Sequence, residues 1–188
     1  MKKKMDNKTT DTETASQAPK ASILRDVISF AVTLGIVLAF CNFVVAFHTI
    51  PTRSMEPTIR AKSFAVCWRL PYTLGDPMPE YGDIISFKNA EKGVILIKRV
   101  VGLPGDTITF QDGNLVRNGE IVKEDYVAEQ ASTFPITAET YTVPDGCVFM
   151  MGDNRRHSSD SRALQNPYIP VSSLYAKYLF SFPIGPNS

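Results

Sequence analysis

The sequence is poor in the side chains that commonly serve as bases, nucleophiles and metal ligands. Histidine occurs twice and cysteine three times, with no Cys-x-x-Cys or Cys/His spacing, so we expect no metal site and no cofactor. The formal net charge of +1 leaves no basic excess of the kind that binds nucleic acid. Cys67 and Cys147 either pair in an oxidising compartment or are separate small apolar side chains.

Charged residues are missing from residues 27–47, in which only Ser29, Thr33 and Asn42 are clearly polar. An apolar run of about 20 residues is long enough to span a bilayer as a helix, and it exceeds the ~7–15 apolar residues of a cleaved signal peptide. We therefore predict a transmembrane helix at residues 22–47. A buried helix of a globular domain is the alternative.

The segment before this run, residues 1–21, is rich in Lys, Thr, Asp and Ser and has no aromatic residue. This composition is typical of a disordered tail. Its lysines, together with Arg25, precede the apolar run, and basic residues beside a span favour the cytoplasmic side. The sequence thus predicts a cytoplasmic tail, one membrane span and an extracytoplasmic domain at residues 48–188.

Sustained helical periodicity is absent after about residue 60, apart from a short turn near residues 171–175. Short apolar runs alternate with turn residues, which predicts a mostly β domain with antiparallel sheets. Asp112-Gly113 and Asn118-Gly119 are typical hairpin turns. The predicted strands are residues 64–70, 83–87, 94–103, 107–110, 115–117, 120–122, 141–143 and 147–151.

Lys98 stands out because it lies inside the apolar run 93–103. A strand this apolar is normally buried, and burial lowers the pKa of a lysine because the ammonium loses its hydration. Side chains alternate along a strand, so Lys98 and Arg99 point to opposite faces. A neutral Lys98 would be a general base, whereas Arg99 keeps its proton and is expected to form a structural salt bridge.

Ser54 is the hydroxyl that such a base would activate. It lies between Pro51 and Pro57, whose rings restrict the backbone on either side. A serine is a weak nucleophile until a base removes its proton, and a Ser–Lys pair needs no histidine. Nothing around His48, beside the apolar run, indicates catalysis; His157, in a polar loop, is the alternative base.

Four segments resemble the characteristic motifs of bacterial type I signal peptidases, in the short form with one span and a small catalytic domain. They are Ser54-Met55-Glu56-Pro57-Thr58, Tyr81-Gly82-Asp83-Ile84-Ile85-Ser86-Phe87, Lys98-Arg99-Val100-Val101-Gly102-Leu103-Pro104-Gly105-Asp106, and Gly152-Asp153-Asn154-Arg155 with Ser158 and Asp160-Ser161-Arg162. The resemblance covers essentially the whole chain after about residue 25. The chain departs from the family pattern at Arg156-His157 and at residues 163–166, near the last of these motifs.

The resemblance implies a membrane-bound serine endopeptidase that removes signal peptides from secreted preproteins by cleavage after small-x-small motifs, through an acyl-enzyme. It implies Ser54 as nucleophile and Lys98 as general base, with the Ser54 N–H and the Thr52 hydroxyl as oxyanion donors. It also implies that Ser158 orients Lys98. The polar scaffold, whose members also fit ordinary structural salt bridges, is Asp153, Asn154, Asp160, Arg162 and Arg99.

The implied partners are secretory preproteins, the lipid bilayer and the secretion translocon, without nucleic acid. We expect the substrate to bind extended, as an added strand, with apolar subsites formed by residues 84–87 and 100–103. Two other interpretations remain. One is a self-cleaving Ser–Lys peptidase of the repressor type, against which the span argues. The other is a membrane-anchored protein that retains signal peptides without cutting them, against which the intact Ser54, Lys98 and Ser158 argue.

Overall fold

The computed structural model describes residues 19–75, 78–127 and 132–185. Within them, one long apolar helix is followed by two antiparallel sheets, which confirms the predicted fold class. The predicted disordered tail lies outside the described residues, apart from residues 19–21, which belong to the helix. The chain divides into two compact units between Phe40 and Cys41.

The helix α1 spans Pro19–Val44. Its segment Ile23–Val44 has 22 residues, a mean hydropathy of 2.4 and no buried side chains, so it is long and apolar enough to cross a membrane. The predicted helix end at residue 47 is wrong, because α1 stops at Val44 and a strand begins at Val45. Residues 45–47 pair with residues 66–68, and this ladder replaces their helical hydrogen bonds.

The remaining elements are mostly short strands. A short helix, α2 (Leu70–Leu74), follows the second strand, and 3-10 turns cover Arg155–His157 and Val171–Ser173. The strand predicted at residues 64–70 therefore ends earlier than expected, at Trp68. The strands are β1 (Val45–Ile50), β2 (Ser63–Trp68), β3 (Ile84–Asn89), β4 (Val94–Gly102), β5 (Thr107–Gln111), β6 (Asn114–Arg117), β7 (Glu120–Ile121), β8 (Thr140–Thr142), β9 (Cys147–Met151), β10 (Ile169–Pro170) and β11 (Leu174–Pro183).

The strands form a 7-stranded sheet in the order β1-β2-β11-β3-β4-β9-β10 and a 4-stranded sheet in the order β7-β6-β5-β8. The two predicted hairpin turns are confirmed. Asp112 and Asn118 have φ angles of 49° and 54°, and the glycines that follow them are also in the left-handed region, as a tight hairpin requires.

The sequence did not predict β11, although the turn that precedes it lies within the expected residues 171–175. This strand pairs with β2 on one side and β3 on the other. Leu174 and Ala176 are buried, whereas Phe180 and Phe182 are exposed. Its place in the sheet joins the first hairpin, β1–β2, to the pair β3–β4, and this connection positions the site described below.

The three cysteines are free thiols, so Cys67 and Cys147 do not pair. Cys67 is buried in the apolar cluster of β1 and β2, and burial raises the pKa of its thiol to about 12. It packs as a small apolar side chain, which is the second of the two alternatives considered above.

Candidate active site

The loop that carries Ser54 joins β1 to β2 and is anchored on both sides of the serine. Met55 and Ile59 are fully buried in the same apolar cluster as residues of β1 and β2. The Ile59 N–H donates to the Met55 carbonyl at 2.8 Å, and the Ser54 carbonyl accepts from the Asn154 N–H at 3.1 Å. These contacts hold the Ser54 backbone in place.

Lys98, in the middle of β4, reaches the Ser54 hydroxyl. Its side chain is buried, and Nζ donates to Ser54 Oγ at 2.8 Å and to the Ile97 carbonyl at 2.8 Å. Opposite Lys98 on β3 lies Ile85, which is also buried. When the amine is neutral, the same separation lets the serine hydroxyl donate to the nitrogen, which is the geometry that a general base requires.

The pKa of Lys98 is lowered from 10.5 to about 8, mainly because burial removes water from the ammonium. The charge of Asp160 raises this pKa, and Asp153 adds a smaller effect in the same direction. The positive charge of Lys92 lowers it. Burial has a larger effect on this pKa than the charges of the two carboxylates.

Two further hydroxyls lie near the serine. Thr52 Oγ1 is 3.4 Å from Ser54 Oγ, close enough to reach an oxygen bound beside the serine. Ser158 Oγ is buried and has no hydrogen-bond partner among the described residues, so it is not bonded to Lys98 here. Ser158 lies against Gly152, where a Cβ would come within 3.0 Å of both Ser158 Oγ and the Ser54 carbonyl.

A buried ion pair ties β4 to the loop after β9. Arg99 Nε donates to Asp153 Oδ1 at 2.8 Å, and Nη2 donates to Oδ2 at 2.6 Å. Asp153 also accepts from the Thr58 hydroxyl at 2.5 Å, and Arg99 Nη1 donates to the Gly82 carbonyl at 2.8 Å. Arg99 thus forms the structural salt bridge expected of it, while Lys98 beside it contacts the serine.

A second buried pair closes residues 152–162 on themselves. Arg162 Nε and Nη2 each donate to Asp160 at 2.9 Å. Asp160 Oδ2 also accepts from the Gly152 N–H at 3.0 Å, and Arg162 Nη2 donates to the Arg155 carbonyl at 2.8 Å. The loop therefore brings Asp160 and Arg162 together, and its Asn154 N–H donates to the Ser54 carbonyl.

Neither histidine forms a hydrogen bond with the Ser54 hydroxyl in the described residues. His157 is exposed, and its Nδ1 is 3.1 Å from Asn154 Oδ1. His48 is half-buried, packs edge-on against Tyr175 at 5.8 Å between ring centroids, and has a pKa that burial lowers. Of the three candidate bases, Lys98 is the one that is hydrogen-bonded to Ser54 in the part of the chain that the structure describes.

A cleft of about 480 Å³ opens beside Ser54 and Lys98. It is lined by residues 47–52, Ser54, Met55 and residues 94–98. β1 pairs only with β2, and β9 pairs with β4 only from Arg99 onward. Each wall of the cleft therefore has one strand edge without a strand partner among the described residues. An extended peptide can add to such an edge through main-chain hydrogen bonds.

Residues 84–87 and 100–103, where the sequence predicts apolar subsites, do not line this cleft. Ile85, Phe87 and Val100 are packed instead in a buried apolar cluster, and Val101 in another. The apolar runs predict these strands, but only the sheet order shows which strand faces the cleft.

The family model described as signal peptidase, peptidase S26, matches residues 23–182 of this chain. The chain belongs to the signal peptidase S26 family. It is 33% identical over 183 residues to the signal peptidase I of Pseudomonas aeruginosa. The match covers 78% of this chain and 64% of that relative. It is 33% identical over 164 residues to the probable signal peptidase I-1 of Synechocystis sp., covering 83% of this chain and 79% of the relative.

A Bacillus licheniformis signal peptidase I is 31% identical over 158 residues, covering 80% of this chain and 84% of the relative. A crystal structure of a signal peptidase I from Enterococcus faecalis V583 is 31% identical, with a TM-score of 0.47, and covers 54% of this chain and 97% of that one. The chain spans less than two thirds of the length of the Pseudomonas relative, at 64%.

A third buried ion pair, between Arg155 and Glu124, is not predicted by the sequence. Arg155 Nη1 and Nη2 donate to the two carboxylate oxygens of Glu124, each at 2.6 Å, and Arg155 Nε donates to the Gly152 carbonyl at 2.9 Å. Tyr126 donates to Glu124 at 2.6 Å, and its ring lies 3.9 Å from Arg99 Cζ. Tyr126 thereby links the Glu124–Arg155 pair to the Arg99–Asp153 pair.

The sequence indicated only one member of this pair. Arg155 stands in the polar segment that follows β9, but Glu124 lies 31 positions earlier in a segment without a motif. No group of three or more His, Cys, Asp or Glu side chains that could hold a metal ion occurs in residues 19–75, 78–127 and 132–185.

Proposed function

We propose that this chain is a membrane-anchored serine endopeptidase that removes N-terminal signal peptides from secreted preproteins by cleavage after small-x-small motifs. The observation that carries the proposal is the 2.8 Å contact between Lys98 Nζ and Ser54 Oγ. It occurs in a site where burial lowers the pKa of the lysine to about 8. A base of this pKa is partly neutral at physiological pH.

In the first step, neutral Lys98 takes the proton of the Ser54 hydroxyl while Oγ attacks the scissile carbonyl carbon. The carbonyl π electrons move to the oxygen, which becomes the oxyanion of a tetrahedral intermediate. The Ser54 N–H and the Thr52 hydroxyl are the proposed donors to this oxygen, and one such donor is typically worth a factor of about 10²–10³ in rate. The 3.4 Å separation of the Thr52 and Ser54 hydroxyls supports this assignment.

In the second step, the C–N bond breaks and protonated Lys98 gives its proton to the leaving amine, which leaves an ester on Ser54. Lys98, neutral again, then takes a proton from water as the hydroxide oxygen attacks the ester carbonyl. Breakdown of this second intermediate returns the proton to Ser54. Each proton that Lys98 accepts is therefore released within the same half-reaction.

The flexible stem of Lys98 needs groups that hold the amine. The Ile97 carbonyl, 2.8 Å from Nζ, is one such group. We propose Ser158 as the second, since its buried hydroxyl has no other partner among the described residues and a small rotation about χ1 changes its direction. Asp153, Asn154, Asp160, Arg162 and Arg99 hold the surrounding loop rather than the reacting atoms.

The proposed substrate lies extended in the cleft between β1 and residues 94–98 of β4. Main-chain hydrogen bonds to the free strand edges would fix its register, and the apolar walls would receive small side chains on either side of the scissile bond. The helix α1 would anchor the enzyme, with the tail cytoplasmic and the β domain extracytoplasmic by the distribution of Lys and Arg. Preproteins held at the bilayer, beside the translocon, would then be within reach.

A processing assay tests the proposal. The full chain, purified in detergent, is incubated with a preprotein, and the new N-terminus of the product is sequenced. We expect a cut directly after the second small residue of a small-x-small motif. Ser54→Ala and Lys98→Met should each reduce the rate by at least about 10³-fold, because each removes a member of the reacting pair.

His157→Ala is the matched control and should keep near-normal activity. Near-normal activity of Lys98→Met would reject the dyad, and a loss in His157→Ala as large as in Lys98→Met would assign the base to histidine. If the wild type binds the preprotein without forming a product, the chain is a signal-peptide-binding protein and not a peptidase.

A further inference from the structure

A second cavity, of about 300 Å³, lies apart from the cleft, among α2, β3 and the start of β11. Two cations line it, and both lie over the ring of Tyr175. Arg69 Cζ is 4.6 Å from the ring centroid and Lys88 Nζ is 5.9 Å from it. Thr73, Ser172 and other hydroxyl side chains complete much of the wall, and none of the lining residues is acidic.

The charge of this cavity is not neutralised by the part of the chain that the structure describes. No carboxylate in residues 19–75, 78–127 and 132–185 forms an ion pair with Arg69 or Lys88. The carboxylate whose charge acts on the lining residue Tyr72 is Asp83, and Asp83 is paired with Lys177 at 2.6 Å. Two positive charges and several hydroxyl donors thus face one small space.

The cavity also lies at the carboxyl end of the apolar helix. The Arg69 N–H donates to the Val44 carbonyl at 2.7 Å, and Arg69 Nη1 donates to the Asn42 carbonyl at 3.2 Å. Beside Arg69 stands Trp68, which is 42% exposed. Where α1 crosses a membrane, its end marks the boundary between hydrocarbon and headgroups, the depth at which exposed tryptophan is enriched.

We propose that this cavity binds the phosphate of an anionic membrane phospholipid. Guanidinium and ammonium groups with neighbouring hydroxyls are the donors that suit a phosphate. Arg69 is bonded to the last turn of α1, and in a helix that spans a bilayer this turn lies at the depth of the lipid phosphates, where such a ligand is concentrated. The site goes beyond the proposed peptidase function and does not depend on the chemistry of Ser54 and Lys98.

Trp68 makes the site directly measurable, because it is the one tryptophan of the sequence and adjoins Arg69. The full chain in a neutral detergent is titrated with dioctanoyl phosphatidylglycerol, and Trp68 fluorescence and the thermal midpoint of unfolding are followed. Parallel titrations use dioctanoyl phosphatidylcholine and inorganic phosphate. We expect a saturable response to phosphatidylglycerol, at concentrations where the other two compounds give none.

Lys88→Gln and Lys123→Gln form a matched pair of variants. Each removes one charge from an exposed lysine, but Lys123 lies elsewhere, paired with Asp125 at 3.0 Å. Loss of a charged contact to phosphate predicts about tenfold weaker binding in Lys88→Gln, with less than about a twofold change in Lys123→Gln. Arg69→Gln is expected to weaken binding as well, but it also removes the bond to Asn42, so Lys88→Gln decides the question.

Four results would overturn the proposal. An equal response to phosphatidylcholine would mean that the cavity does not recognise charge. Saturation by inorganic phosphate at the same concentration would make the ligand a soluble anion and not a lipid. Unchanged affinity in Lys88→Gln would place any lipid elsewhere. The absence of a saturable change in both fluorescence and thermal midpoint would mean that no lipid binds.

Discussion

The pH dependence of cleavage tests the Ser54–Lys98 pair most directly. Burial lowers the pKa of Lys98 from 10.5 to about 8. About a tenth of such a lysine is neutral at pH 7, compared with about 0.03% of a lysine with the ordinary pKa. Only the neutral amine accepts the serine proton, so kcat/KM should rise with pH and level off above about pH 8.

The size of the rise follows from the same pKa. Between pH 6 and pH 8 the neutral fraction grows from about 1% to about 50%, so kcat/KM should increase about 50-fold. The assay is the initial rate of cleavage of a fluorogenic peptide with a small-x-small site, measured from pH 6 to pH 10 with substrate far below KM. On the acid side, a plot of log(kcat/KM) against pH is expected to have a slope of one, as for a single ionisation.

Lys92→Gln perturbs this ionisation from outside the site. Lys92 is exposed, donates to Ser159 Oγ at 2.5 Å, and lowers the pKa of Lys98 through its charge. Removing that charge relieves the repulsion on the Lys98 ammonium, so the pKa of Lys98 rises and the profile moves to higher pH. The plateau should not change, and the displacement should shrink in high salt because the charge is screened. Lys123→Gln, the control, should leave the profile unmoved.

Three outcomes would refute the reasoning. A kcat/KM that still rises tenfold per unit between about pH 8.5 and 9.5 would mean that Lys98 keeps the pKa of a solvated lysine. A profile centred near pH 6.5 and lost in His157→Ala would identify a histidine as the base. A displacement of the Lys92→Gln profile to lower pH would contradict the sign of the electrostatic interaction.

Two further predictions concern stability. Lys98→Met should raise the free energy of unfolding by roughly 3 kcal/mol at pH 7, because the buried charge destabilises the fold fully below the folded pKa of about 8 and not at all above 10.5. Urea unfolding at several pH values should show this gain in stability shrinking between pH 8 and 10. A gain that stays constant with pH would contradict the prediction. Glu124→Ala should lower the free energy of unfolding by about 3–5 kcal/mol, since it leaves the buried Arg155 guanidinium without its carboxylate. Lys123→Gln, at an exposed pair, should cost less than about 0.5 kcal/mol in the same measurement, and an equal loss in both variants would argue against a buried pair.

Local patterns in the sequence predicted much of the fold. The apolar run before residue 48 predicted the long helix, the alternating runs predicted most strands, and Asp112-Gly113 and Asn118-Gly119 predicted hairpin turns that the structure confirms. These features depend on residues close together in the chain, and their physical causes are equally local. The predicted end of the helix was wrong because it depends on residues distant in the chain. Pairing with β2 makes residues 45–47 a strand.

The candidate site was predicted by residue chemistry and not by geometry. A lysine in an apolar strand indicates a depressed pKa wherever its strand is buried, and a serine between two prolines indicates a restrained hydroxyl. Neither observation contains a distance. The resemblance also implied that Ser158 orients Lys98. In the structure the Ser158 hydroxyl lies against Gly152 and has no hydrogen-bond partner among the described residues, so that role stays a prediction.

The sequence by itself determined the class of the fold, the apolar helix and the residue types available for catalysis, because these follow from local periodicity and side-chain chemistry. Only the tertiary structure decided which residues meet. Ser54 and Lys98 are 44 positions apart, Arg99 and Asp153 are 54 apart, and Glu124 and Arg155 are 31 apart. The meeting of Ser54 and Lys98 depends on the strand order, in which the unpredicted β11 lies between β2 and β3. Strand order is set by the packing of whole sheets, which no local pattern records.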